Sequence, residues 1–252
     1  MRYFITLAYR GTAFSGWQRQ PNGPSVQTAL ETALATLLRH PVELTGCGRT
    51  DAGVHARYYV AHFDTEAGFP DSFLTRLNSL LPPDIAVYDA CRVADDAHAR
   101  FDAVERGYEY HISLRKDPFA NDLAWYYPHW RRIDTGKMQE VAALLPSFNA
   151  FAPFCKSDSG LEHFQCALHV ARWDFQPANH RWIFHVGANR FLRGMVRLIV
   201  GACVEAGLGK LQVADIRTAL EMQTPLPRSL SVPPQGLFLT RVVYPFDFQG
   251  KS

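Results

Sequence analysis

The chain has 252 residues, 47% hydrophobic and 20% charged, with 26 Lys and Arg against 24 Asp and Glu. This composition excludes intrinsic disorder as the main state, and no run approaches the roughly 18 consecutive apolar residues of a transmembrane helix. Five cysteines, an odd number without a C-x-x-C pair, argue against a disulfide framework or a zinc knuckle. They fit a reducing cytoplasm, as does a start (Met1 to Thr6) without the layout of a secretory leader.

Apolar alternation at Tyr3, Ile5, Leu7 and Tyr9 predicts a half-buried strand. Residues 11–23 read as a turn-rich loop. Val26, Leu30, Ala33, Leu34 and Leu37 recur at helical spacing, with Ser25 as N-cap and Pro41 as a stop. A strand is expected over 42–45, then the glycine-punctuated loop GCGRTDAG, then a strand over 58–63. A helix over 71–81, capped by Asp71 or Ser72 and closed by Pro82-Pro83, precedes a strand over 85–93. The second half predicts a strand over 108–114, a helix over 135–145 and a hairpin pair at 170–175 and 182–186. Helices over 191–206 and 213–220 and a closing strand over 237–244 follow.

The pattern is α+β in both halves. The simplest architecture is two ferredoxin- or RRM-like subdomains whose antiparallel sheets join into one large sheet, with a cleft where they meet. Residues 1–104 would form the first, 105–248 the second, and 249–252 a tail. The charge is asymmetric. Residues 1–104 hold 9 Lys and Arg against 11 acids, whereas 105–252 hold 17 against 13, and 21 of the 26 cations are arginine. Arginine reads phosphates bidentately and stacks on bases.

Several motif tests fail. Gly11 and Gly16 have the spacing of a phosphate-binding loop, but Trp17 stands where lysine is required. There is no H-E-x-x-H and no G-x-S-x-G, so neither a zinc protease nor a serine nucleophile is expected. The segment Arg106 to Ile112 partly matches the aromatic strand of RNA-recognition modules, with Glu109 breaking the pattern. The most informative stretch is GCGRTDAGVHA, Gly46 to Ala56. Its three glycines allow sharp turns and close ligand approach, and it carries Arg49, Asp51 and His55. The bland alternative is an aspartate that only caps its own turn.

The segment Gly48 to Ala56, GRTDAGVHA, resembles the catalytic signature of the tRNA pseudouridine synthase A family. Further matches are Gly16-Trp17-Gln18-Arg19-Gln20 with Ser25-Val26-Gln27, His98-Ala99-Arg100-Phe101, and Arg106-Gly107-Tyr108-Glu109-Tyr110. Phe191 with Met195-Val196-Arg197, and Gly236-Leu237, complete a resemblance spanning roughly residues 1–245. The chain departs from the family at Arg10, where aspartate is common, and around Gln165, where an arginine is often found.

The resemblance implies the pseudouridine synthase fold and isomerisation of uridine to pseudouridine at positions 38, 39 and 40 of the tRNA anticodon stem-loop. It implies no cofactor, no metal and no membrane, and a cytoplasmic homodimer holding one tRNA across both subunits. Asp51 matches the essential aspartate, the expected nucleophile. Arg197 matches the arginine that pairs with it, Arg49 supports the flipped nucleotide, and Tyr108 matches the base-contacting tyrosine. Arg190, Arg193 and Arg197, at i, i+3 and i+7, would form one helical stripe beside the substrate. A non-catalytic RNA-binding module on the same scaffold is the alternative, and it would need Tyr108 and the arginines but not Asp51. A nucleoside hydrolase is disfavoured because the loop carries one carboxylate rather than two.

Overall fold

The computed structural model describes residues 1–21, 23–66, 68–156, 163–227 and 230–248. In chain order the strands and helices are β1 (Arg2–Tyr9), α1 (Val26–Leu38), β2 (Thr45–Gly46), β3 (His55–Asp64), α2 (Phe73–Leu80) and β4 (Ile85–Arg92). Then come β5 (Glu105–Ser113), β6 (Trp125–Tyr126), α3 (Thr135–Leu144), β7 (Leu168–Gln176), β8 (Arg181–Ala188), α4 (Met195–Gly207), α5 (Val213–Met222) and β9 (Leu237–Val243). The class is α+β. The chain divides into two compact units, one of residues 1–105 with 238–252 and one of residues 106–237.

In the first unit β1 lies between β4 and β3, antiparallel to both, and β9 runs parallel to β3 through His55↔Phe238 and Ala56↔Leu239. Strand β1 is more buried than a simple alternation predicts, because both of its faces are covered. Tyr3, Ile5, Leu7 and Tyr9 share one face with Phe63, Ala61 and Tyr59 of β3. On the other face the Phe4 ring meets those of Tyr244, Phe246 and Phe248, which follow β9. Helix α1 starts where Ser25 Oγ accepts the Thr28 N–H at 3.1 Å and ends at Arg39, which turns left-handed with φ 62°. Along its apolar stripe Val26, Leu30, Ala33 and Leu34 are buried, and Leu37 is half-buried.

The second unit is built on β5–β8–β7, antiparallel throughout, with β6 added parallel to β5. Helix α3 packs on α4 and β7. Asp134 caps α3 by accepting the N–H groups of Gly136 and Lys137.

Four expectations need correction. Residues 238–248 belong to the first unit rather than the second, because β9 pairs with β3 and the Val104 N–H donates to Val243 O. The strand expected over 42–45 reduces to Thr45–Gly46, because α1 side chains satisfy the backbone of Leu44. Its N–H donates to Glu31 Oε1, and its carbonyl accepts from the Gln27 amide. Ser72 stands at the α2 N-cap with φ 57° and makes no side-chain cap bond. Helix α4 begins at Met195 rather than 191, because Gly194 adopts φ +72° immediately before it. Arg190 and Arg193 therefore precede the helix, and the expected three-arginine helical stripe does not exist. The 249–252 tail lies outside the described residues.

Candidate active site

Residues 47–54 connect β2 to β3, and the chain around them is arranged to hold this loop. At its start the Cys47 N–H donates to Val60 O at 2.8 Å, and the Tyr59 hydroxyl donates to Gly48 O. In the middle the Trp17 N–H donates to Thr50 O at 3.3 Å, and the Tyr9 hydroxyl lies 2.8 Å from Thr50 Oγ1. At its end the Gly53 N–H reaches Phe14 O, the Val54 N–H turns back to Asp51 O, and His55 Nδ1 accepts the Gly11 N–H at 3.0 Å. That last bond places the His55 proton on Nε2 when the ring is neutral.

The turn-rich segment 11–20 thus lies against the Asp51 loop, and two glycines permit it. A Cβ on Gly16, which has φ +104°, would sit 2.3 Å from Thr50 O, and one on Gly11 would sit 2.0 Å from Val54 O. The segment is itself tied to α1. Arg19 and Gln27 both bond the Glu31 carboxylate, at 2.5 and 3.0 Å, and the Arg19 N–H donates to Gln27 Oε1. Glu31 is buried, and these partners satisfy its carboxylate oxygens. On this braced backbone Asp51 is half-buried and Arg49 is exposed.

In the second unit, Tyr108 stands on β5 opposite Val186, and the Phe191 ring meets it edge-on at 5.0 Å. Two residues along, Tyr110 is fully buried, and its hydroxyl donates to Pro233 O at 2.8 Å. Burial pushes its phenol well above the ordinary value, while Arg197 pulls the other way. Arg197, in the first turn of α4, donates from Nε to Val232 O at 2.7 Å. Arg190 reaches the His163 ring at 3.2 Å. Arg193 is exposed, and its carbonyl accepts the Lys156 N–H.

The sequence model of the tRNA pseudouridine synthase family matches residues 5–102 and 148–245. The chain belongs to that family. A tRNA pseudouridine synthase A of Porphyromonas gingivalis is 46% identical over 249 residues, covering 98% of both chains. The enzyme of that name from Bacteroides fragilis is 47% identical over 247 residues, covering 97% of this chain and 96% of its own. A more distant one from Geobacter sp. (strain M21) is 39% identical over 245 residues, covering 96% and 98%.

For this family member the sequence motifs acquire distinct physical jobs. The GWQRQ and SVQ segments clamp loop 11–20 onto α1 through Glu31. The HARF segment is pinned at Ala99, whose N–H donates to His62 Nδ1 at 3.0 Å and whose carbonyl accepts the Tyr244 hydroxyl at 2.6 Å. Arg49 and Asp51 are brought together in the first unit, and Tyr108, Arg190, Arg193 and Arg197 all lie in the second. Sequence reasoning missed Tyr9, Thr50 and Tyr59 as residues that hold the Asp51 loop. Alternation marked Tyr9 only as a strand residue, and nothing local signals that its hydroxyl reaches Thr50.

Among the described residues no group of three His, Cys, Asp or Glu is placed to hold a metal ion. Among the described residues no helix is long and apolar enough to cross a membrane. Burial pushes the Cys166 thiol up to about 11 and that of Cys203 up to about 12, so neither is a thiolate nucleophile near neutral pH.

Proposed function

We propose that the protein isomerises uridine to pseudouridine in tRNA, at positions 38, 39 and 40 of the anticodon stem-loop. The observation that carries this reading is Asp51, the one acidic residue of the braced loop 47–54 in a pseudouridine synthase family member. In the reaction the N1–C1′ glycosidic bond breaks, the uracil turns while held, and C5 bonds to C1′. The C5 proton is then lost and N1 gains one. A carboxylate suits this sequence because it can attack, or stabilise charge at, the sugar or base. The motif match gives Arg197 the role of pairing with Asp51, and a planar guanidinium can hold a carboxylate through two hydrogen bonds. Arg49 would support the flipped nucleotide.

Tyr108 offers a ring on which the unstacked base can lie, worth roughly 1–3 kcal/mol per base. Extruding that base costs a few kcal/mol, which phosphate contacts from arginines such as Arg190 and Arg193 would offset. We further propose a cytoplasmic homodimer that holds one tRNA across both subunits and requires neither metal nor cofactor.

The test uses tRNA carrying tritium at C5 of uridine and follows tritium release, pseudouridine and free uracil. Tritium release with pseudouridine from wild type, and none from Asp51→Ala or Asp51→Asn at tRNA affinity within about tenfold, is the expected result. Binding without turnover would favour a non-catalytic RNA-binding module. Free uracil would identify a hydrolase instead.

A further inference from the structure

We infer that Tyr9 and Tyr59 are positioning residues for Asp51, acting through their hydroxyls on the backbone that carries it. The inference rests on the proposed catalytic role of Asp51. Tyr9 on β1 and Tyr59 on β3 are 4% and 0% exposed, and their rings meet edge-on at 5.5 Å. Trp17, 3% exposed, stacks on Tyr59 at 4.1 Å, so three aromatic rings form a plate within the first unit.

Only the two phenols of this plate carry hydroxyls, and both reach the same short loop. Tyr59 bonds the Gly48 carbonyl and Tyr9 the Thr50 hydroxyl, so the contacts bracket Arg49 and end one residue before Asp51. The strand register is adjusted at this place. Leu7 pairs with Tyr59 but Tyr9 pairs with Ala56, so β3 holds one extra residue between the two pairs. A bulge of this kind re-aims side chains and bends its strand, which is a recurrent device beside active sites.

Two alternatives predict different measurements. If the hydroxyls only satisfy buried polar groups, removing one lowers stability and leaves the turnover of folded enzyme intact. If they position Asp51, removing one leaves the ring stack and the fold in place but loosens the loop. The chemical step then slows while tRNA binding, made largely elsewhere, does not change.

The experiment compares wild type with Tyr9→Phe, Tyr59→Phe, Thr50→Val, Thr50→Ser and the double variant Tyr9→Phe/Thr50→Val. Single-turnover pseudouridine formation, tRNA affinity, melting temperature and amide exchange over residues 47–54 are measured for each. Each Phe variant should lose about tenfold in single-turnover rate. Affinity should stay within about twofold, the melting temperature should hold, and the loop amides should exchange faster. Thr50→Ser should recover most of the rate lost in Thr50→Val. The double variant should be no slower than its slower parent, because both changes remove one shared contact.

Wild-type rates with unchanged loop exchange in both Phe variants would overturn the inference. So would a rate loss that simply tracks a fall in melting temperature. If the wild type forms no pseudouridine, the functional reading falls, and the exchange comparison still decides whether the two hydroxyls hold the loop.

Discussion

Tyr108 and His62 show what single side chains contribute. Tyr108 presents a half-buried ring steadied by the edge of Phe191. Tyr108→Ala should therefore cut single-turnover rate by tenfold or more while changing tRNA affinity less. Tyr108→Phe separates ring from hydroxyl: retained activity assigns the role to stacking, and equal loss in both variants assigns it to hydrogen bonding or proton transfer. An Ala variant as active as wild type would remove Tyr108 from the site. His62 is buried, accepts the Ala99 N–H on Nδ1, and is pushed down to about 4 by burial, aided by the charges of Arg2 and His98. Between about 4 and 6.5 the unfolded chain binds a proton that native His62 does not. Its contribution to stability is thus fully present above pH 6.5 and is lost as pH falls towards 4. Chemical denaturation should show a loss on the order of 2 kcal/mol across that interval, and His62→Asn should flatten that part of the pH profile.

Helix α4 illustrates how an element is placed by what it packs against. Its interior is apolar enough to bury nearly every residue, and Arg197 and Glu205 are its half-buried exceptions. Gly201 lets the chain at Leu230 approach closely, since a Cβ there would sit 1.7 Å from Leu230 O. The same strand of chain then receives Arg197 Nε at Val232 O, while Tyr110 bonds Pro233 O. Gly201→Ala should cost roughly 1–3 kcal/mol in a denaturant titration, because backbone rather than a flexible side chain must move. Arg197→Ala should lower pseudouridine formation strongly, through loss of the counter-charge proposed for Asp51. Arg197→Lys should rescue only in part, because an ammonium lacks the planar fork that can serve Val232 O and a carboxylate together. Full activity of the Ala variant at neutral pH would refute that pairing.

At the scale of the molecule, charge composition predicts how RNA is held. The net charge is only +2, yet 21 of 26 cations are arginine and residues 105–252 hold 17 cations against 13 acids. A polyanion bound through several phosphates releases counterions, so its affinity must fall with salt. Raising monovalent salt from about 50 to 200 mM should weaken tRNA binding at least tenfold, read by filter binding or fluorescence anisotropy. A salt-independent Kd would argue that phosphate contacts contribute little. Asp51→Asn should show the same salt slope as wild type, because it alters chemistry rather than phosphate contacts.

Elements whose determinants are local were legible in the sequence. The capped, amphipathic stretch after Ser25 became α1, and the Val141 and Met138 stripe became α3. The nine residues GRTDAGVHA were enough to point to the family, since motif chemistry is carried by adjacent side chains. What the sequence could not disclose depends on partners distant along the chain. The segment before β2 lost its ladder because Glu31 and Gln27, on a helix, took its backbone groups. The arginine stripe failed because helical spacing does not reveal that Gly194 turns left-handed between Arg193 and Met195. The closing strand joined the first unit because a ladder is set by which edge is open, and β3 offered one 183 residues away in sequence, as His55↔Phe238 and Ala56↔Leu239 show. Reaction type was therefore written in a local motif. How the loop that carries Asp51 is held, by Tyr9, Tyr59, Gly11 and Gly16 across three elements, was decided only when β1, β3 and the loop between β1 and α1 came together.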